Sequence, residues 1–110
     1  MASQIEPIHV WSSEPREVVP GYRARFIHSE HTTHAWWEID PDIPLPEHAH
    51  PHEQIVNVLA GTFLLTVDGV EHELTAGDCL VIPGNVPHSG VARTPCRILD
   101  VFSPVREEYR

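Results

Sequence analysis

From Gly21 onward, apolar and polar positions alternate with a period of two in short runs, and turn residues break the runs apart. Residues 22–27 place Arg23 and Arg25 on one face, with Tyr22, Ala24 and Phe26 on the other. Residues 32–39 set Thr33, Ala35 and Trp37 against His34, Trp36 and Glu38. Further strands are predicted over 53–59, 62–67, 70–74, 79–82, 88–92 and 97–102. Asp68-Gly69 falls between two of them as a hairpin turn, since both positions of such a turn need positive φ. Residues 40–47 hold Pro41, Pro44 and Pro46 and are expected to be loop. Residues 1–20, punctuated by Pro7, Pro15 and Pro20, read as an extended lead-in whose Ile8 and Trp11 are available to pack onto a sheet. About eight short strands at regular spacing predict an all-β, antiparallel sandwich or barrel over residues 21–110, and the 11 prolines argue against long helices.

A chain of 110 residues buries enough surface for one core without disulfide or zinc staples. Basic residues number 7 and acidic 16, so the formal charge is −9. That sign disfavours nucleic acid and anionic membranes as partners. All the basic residues are arginine, so with no lysine Schiff-base and pyridoxal chemistry are excluded. Cys79 and Cys96 lie in apolar runs and are read as buried, inert thiols. The N-terminus lacks the basic and apolar regions of a signal peptide, and no apolar run reaches membrane-spanning length, so a soluble, cytoplasmic protein is expected.

Nine histidines change this picture through their placement. His48 and His50 share a strand face, and His52 and Gln54 continue the same parity. A metal needs donor atoms at about 2 Å, whereas four residues of extended chain span ~13 Å, so the chain must bend between His50 and Gln54. Pro51 is placed to bend it, letting the longer Gln54 side chain swing back. His88, opening a later strand, is positioned to add another inward ligand in a closed barrel. His52 reads as an outer donor or a rim residue. His9, His28, His31, His34 and His72 read as ordinary polar residues, with His34 the one most able to face the interior. Asp100 and Phe102 share a parity and are expected to face inward together. Asp100 reads either as a general base or as an ion-pair partner of Arg97 or Arg106. Arg106 offers a planar fork suited to a carboxylate, as do Arg23 and Arg25 from an early strand.

The stretch from Pro46 to Gly61, with His48-x-His50 and Gln54, resembles the first cupin motif, and Gly77 to His88, with Pro83 and Asn85, resembles the second. The resemblance implies a double-stranded β-helix, the cupin jelly-roll barrel. Gln54 stands where most cupins have glutamate, and Asn85 where many have glycine. A neutral ligand leaves a bound dication its full charge, which favours Lewis-acid chemistry over high-valent iron. Together with the tail pattern Asp100-x-Phe102-Ser-Pro-x-Arg106, the motifs are similar to those of the small cupins of pectin and alginate breakdown, which linearise unsaturated uronates. That resemblance implies one divalent metal (zinc, nickel, manganese, cobalt or iron) held by His48, His50, Gln54 and His88. It also implies a pocket lined by Asp100, Phe102 and Arg106 for a small acidic sugar. A metal-dependent dioxygenase and a non-catalytic sensor of small acids stand as rivals. Trp11, Trp36 and Trp37 suggest an apolar patch, and with it a homodimer formed by sheet-on-sheet packing or exchange of the lead-in strand.

Overall fold

The alternating runs become ten strands in the computed structural model, which describes residues 5–110. They are β1 (Arg16–Val19), β2 (Tyr22–His28), β3 (Thr33–Ile39), β4 (Leu45–His48), β5 (Glu53–Ala60), β6 (Thr62–Val67), β7 (Val70–Thr75), β8 (Cys79–Ile82), β9 (His88–Ala92) and β10 (Cys96–Ser103). One sheet has the order β1-β2-β3-β10-β5-β8, the other β4-β9-β6-β7, and every pairing is antiparallel. The last strand is inserted between β3 and β5, so chain-distant segments become neighbours, as in a jelly roll.

The two sheets meet through the faces that the alternation marks as apolar. In β3, Thr33, Ala35, Trp37 and Ile39 are buried while the residues between them are not. In β10 the buried set is Cys96, Ile98, Asp100 and Phe102. Phe63 and Leu65 of β6 answer from the opposite sheet. Each fully buried Ile, Leu or Phe contributes about 1.5–3 kcal/mol of burial free energy, so the inward parity of these strands fixes their register. The Asp68-Gly69 turn has φ of 49° and 78°, as its dipeptide requires.

Several expectations need correction. Residues 45–48 form β4 despite Pro46, because β4 is an edge strand and a missing ladder donor is tolerated there. The lead-in is not merely extended: β1 pairs with β2, and Val10–Ser12 form a 3-10 turn. Its first four residues lie outside the described residues. Trp11 does reach the sheet, its ring 5.3 and 4.8 Å from the Arg25 and Arg97 guanidiniums, whereas Ile8 stays exposed. His34 is on the outer face against Trp36, not in the interior. Cys96 is buried as expected, but Cys79 is exposed, because its parity in β8 faces away from the core. Among the described residues, no helix is long and apolar enough to cross a membrane.

Candidate metal centre

β4, β5 and β9 converge at one end of the barrel. His48 of β4 is the Cα partner of His88 of β9, which sets two imidazoles side by side across the sheet. His50 follows β4 on the bend ahead of β5, and Gln54 is the second residue of that strand. The bend is held by two loop contacts. The Asn85 amide donates to the His50 carbonyl at 2.7 Å, and Gly84 packs its Cα against the Pro51 carbonyl. Asn85 takes φ of 65°, which explains why this position accepts Gly or Asn.

The ring centroids lie 4.3 Å apart for His48–His88, 4.9 Å for His50–His88 and 5.9 Å for His48–His50. One nitrogen from each of the three falls within 4.8 Å of the others. In all three, Nδ1 lies against a backbone carbonyl two residues away: Pro46 at 2.8 Å, His52 at 3.0 Å and Val86 at 2.9 Å. A carbonyl only accepts, so each Nδ1 carries the proton and each Nε2 keeps a lone pair. His88 Nε2 is buried without a partner, and His50 Nε2 faces Gln54 Oε1, a second acceptor, at 3.2 Å. Three lone pairs and an amide oxygen converging in this way form a donor set for a divalent cation. Nitrogens bound at 2.0–2.1 Å in a tetrahedral site stand about 3.3 Å apart, so small ring rotations close the set. Burial, reinforced by the Arg106 charge and by His88, lowers the His50 pKa to about 4. Burial also lowers that of His88. Both rings are therefore neutral at neutral pH, the form in which an imidazole can bind a cation.

The imidazoles open onto a cavity of about 380 Å³, a volume suited to a small molecule. Asp100, Phe102 and Arg106 line it, all three buried. Burial raises the Asp100 pKa to about 7, against the opposing influence of Gln54, Trp37 and Arg106. The carboxylate forms no salt bridge with Arg97 or Arg106, and its Oδ1 has no hydrogen-bond partner. Phe102 meets the His50 ring edge-on at 5.8 Å. The Arg106 guanidinium lies 4.7 and 4.6 Å from the Phe102 and Tyr109 ring centroids, which stand 6.0 Å from each other, and it donates to Glu108 at 3.0 Å.

Arg23 and Arg25 do not reach the cavity. Both point outward, paired with Asp40 and Glu38, so Arg106 is the arginine at the site. His52 contributes its carbonyl to His50, and its own ring stands 5.6 Å from that of His50. Tyr109 and Trp37 also line the cavity and were not anticipated. The parity of Trp37 in β3 carried a signal for it. The placement of Tyr109 depends on how the tail folds back. There His28 donates through Nε2 to the Tyr109 carbonyl at 3.1 Å and accepts at Nδ1 from Thr33 Oγ1, which in turn accepts the Arg106 amide at 2.9 Å.

Comparison with known proteins agrees with this geometry. The cupin domain family matches residues 35–102. Among solved structures, an RmlC-like cupin from Shewanella frigidimarina superposes with a TM-score of 0.88 at 30% identity, covering 94% of each chain. KdgF from a Halomonas species superposes at 0.87 with 27% identity, covering 91% of this chain and 94% of that one. A curated relative, the dimethylsulfoniopropionate lyase DddW of Ruegeria pomeroyi, is 40% identical over 55 residues. That match spans half of this chain but only 36% of the lyase.

Proposed function

The chain belongs to the cupin family, and on that premise we propose that it is a metal-dependent enzyme converting the ring form of a 4,5-unsaturated or 4-deoxy-5-keto uronate to its open-chain keto form. The observation that carries this reading is that Asp100, Phe102 and Arg106 line the same cavity as the imidazole cluster. The likeness to KdgF and the tail pattern shared with the small uronate-linearising cupins support it.

His48, His50, Gln54 and His88 are the residues that would hold a single divalent cation. When bound, such a cation polarises a hydroxyl or carbonyl oxygen as a Lewis acid. Arg106, braced against the Phe102 and Tyr109 rings, presents its guanidinium to the substrate carboxylate. Phe102 packs against the sugar ring. Asp100 moves the proton: in the hemiketal it takes the hydroxyl proton at Oδ1 and delivers one to the ring oxygen as the ring carbon–oxygen bond breaks. In the unsaturated substrate, water first adds its hydroxyl and proton across the double bond. A carboxyl buried in an apolar wall, with a pKa near neutrality, suits both directions of transfer.

The test is to follow loss of the conjugated absorbance of unsaturated galacturonate with metal-loaded protein. The expected result is turnover well above buffer. A rate equal to buffer with metal bound rejects the reading, and tight binding without turnover supports a sensor instead. We also propose a homodimer formed by the outer face of the larger sheet, where Leu59 and Val81 are exposed beside Ile55, Leu99 and Val101. Sedimentation equilibrium showing a monomer at micromolar concentration overturns this assembly.

A further inference from the structure

Among the described residues, five buried side-chain polar atoms lack a hydrogen-bond partner, and four of them belong to residues lining the cavity: Trp37 Nε1, His88 Nε2, Asp100 Oδ1 and Arg106 Nε. The His88 lone pair serves the cation site, and Arg106 faces the substrate carboxylate. Trp37 and Asp100 are left, and the strand register relates them. In the β3–β10 ladder Ile98 is the partner of Trp37 and Asp100 that of Ala35, so Asp100 and Trp37 are diagonal neighbours on the inner face. On the other side of β10, Phe102 is the partner of Gln54 and Asp100 that of Val56, so Gln54 is the opposite diagonal neighbour. Diagonal neighbours sit about 7–8 Å apart at the backbone, within reach of an indole or a long carboxamide. Asp100 therefore stands between two donors on adjacent strands, and both draw its pKa down from what burial alone would give.

The carboxamide of Gln54 has two ends of nearly the same shape. Its oxygen is turned toward His50 Nε2 at 3.2 Å, which leaves its NH₂ to face away from the imidazoles. If nothing accepted from that NH₂, a half-turn would offer N–H groups to the cation position. An acceptor on the far side of Gln54 would forbid the half-turn, and Asp100, its diagonal neighbour across β10, is the carboxylate placed to supply one. A carboxylate in an apolar wall in turn needs a fixed donor to hold its own rotamer.

We propose that Trp37 is a positioning residue of the metal centre: its indole N–H orients the Asp100 carboxylate, which orients Gln54 so that the amide oxygen faces the imidazoles. This row crosses β3, β10 and β5, and it rests on the reading of Gln54 as a ligand. Packing alone does not require an indole here. The edge-on contacts of Trp37 with Tyr22, Phe26 and Tyr109 at 5.9–6.4 Å are ones a phenyl ring also makes. A row of this kind supports a ligand from outside the coordination shell, and losing such support costs 10–100-fold in metal affinity.

The experiment uses Co(II) as the probe, with affinity from chelator competition and coordination from the visible d–d spectrum. Trp37→Phe is expected to bind one Co(II) about tenfold more weakly than the unaltered chain, with a shifted spectrum. Asp100→Leu is expected to show the same shift, and adding Trp37→Phe to it should cost nothing more. A Trp37→Phe protein with unaltered spectrum and affinity overturns the proposal. Should Gln54→Ala also leave both unchanged, the ligand reading beneath it fails too. A second measurement leaves Trp37 in place. Its indole ¹⁵N–¹H resonance is expected to lie downfield and to lose that shift in Asp100→Leu, while those of Trp11 and Trp36 stay fixed. An unmoved Trp37 resonance contradicts the row.

Discussion

Each imidazole of the cluster uses Nδ1 to hold a backbone carbonyl and brings a ring nitrogen to the shared cluster. This division of labour suits the three histidines to the proposed ligation, and it predicts unequal mutational effects. His88→Ala removes a buried donor, so divalent-cation affinity is expected to fall by more than about a hundredfold, beyond what losing a supporting partner costs. Zinc titration against a chromophoric chelator measures this. Arg106→Ala is expected to act on substrate capture, raising the KM for an unsaturated uronate about tenfold or more while metal stays bound. Asp100→Asn should instead lower kcat, because a carboxamide does not carry the proton. Steady-state kinetics of the two variants separates these roles, and equal effects on both parameters would contradict them. At this scale much was legible in the sequence. The spacing of His48, His50 and Gln54 already required a bend at Pro51, and the shared parity of Asp100 and Phe102 already placed both inside. The fate of Arg23 and Arg25 was not legible, because alternation states which face a residue occupies but not which face meets the cavity.

Strands and loops decide whether these side chains meet. The loop between β8 and β9 carries no ligand, yet it presses on the bend that follows His50. A Cβ on Gly84 would lie 2.3 Å from the Pro51 carbonyl oxygen. Gly84→Ala is thus expected to push the bend outward, weakening metal binding about tenfold without altering any ligand. It should also destabilise the fold by about 1–3 kcal/mol, as overpacking does. Chelator competition and urea unfolding test the two effects, and an unperturbed variant would show that the loop does not set the bend. Elements with a clean period of two were read with ends that differ from the structure by a residue or so. The misread ones are edge strands: β4 keeps only a partial ladder through Pro46, and β1 pairs only with β2, so local sequence carries little of their strand character.

Over the whole molecule, insertion of β10 between β3 and β5 joins the tail to the centre. Asp100, Phe102 and Arg106 gain their place from a strand pairing that spans most of the chain, which no local pattern encodes. The double motif pointed to it only through resemblance. Because the proposed ligands come from both sheets, a bound cation ties the sheets together and favours the folded state. With free metal at a hundred times Kd, stabilisation should be about 2.7 kcal/mol, or a rise in Tm of about 10 °C. A thermal scan with and without zinc reads this shift, and no shift under those conditions would mean that the cation does not bridge the sheets. The most direct test of the centre itself is X-ray absorption fine structure of the zinc-loaded chain. The expected shell is three imidazole nitrogens with at least one oxygen at about 2.0–2.1 Å. A shell with fewer than three imidazoles, or no zinc retained, would contradict it.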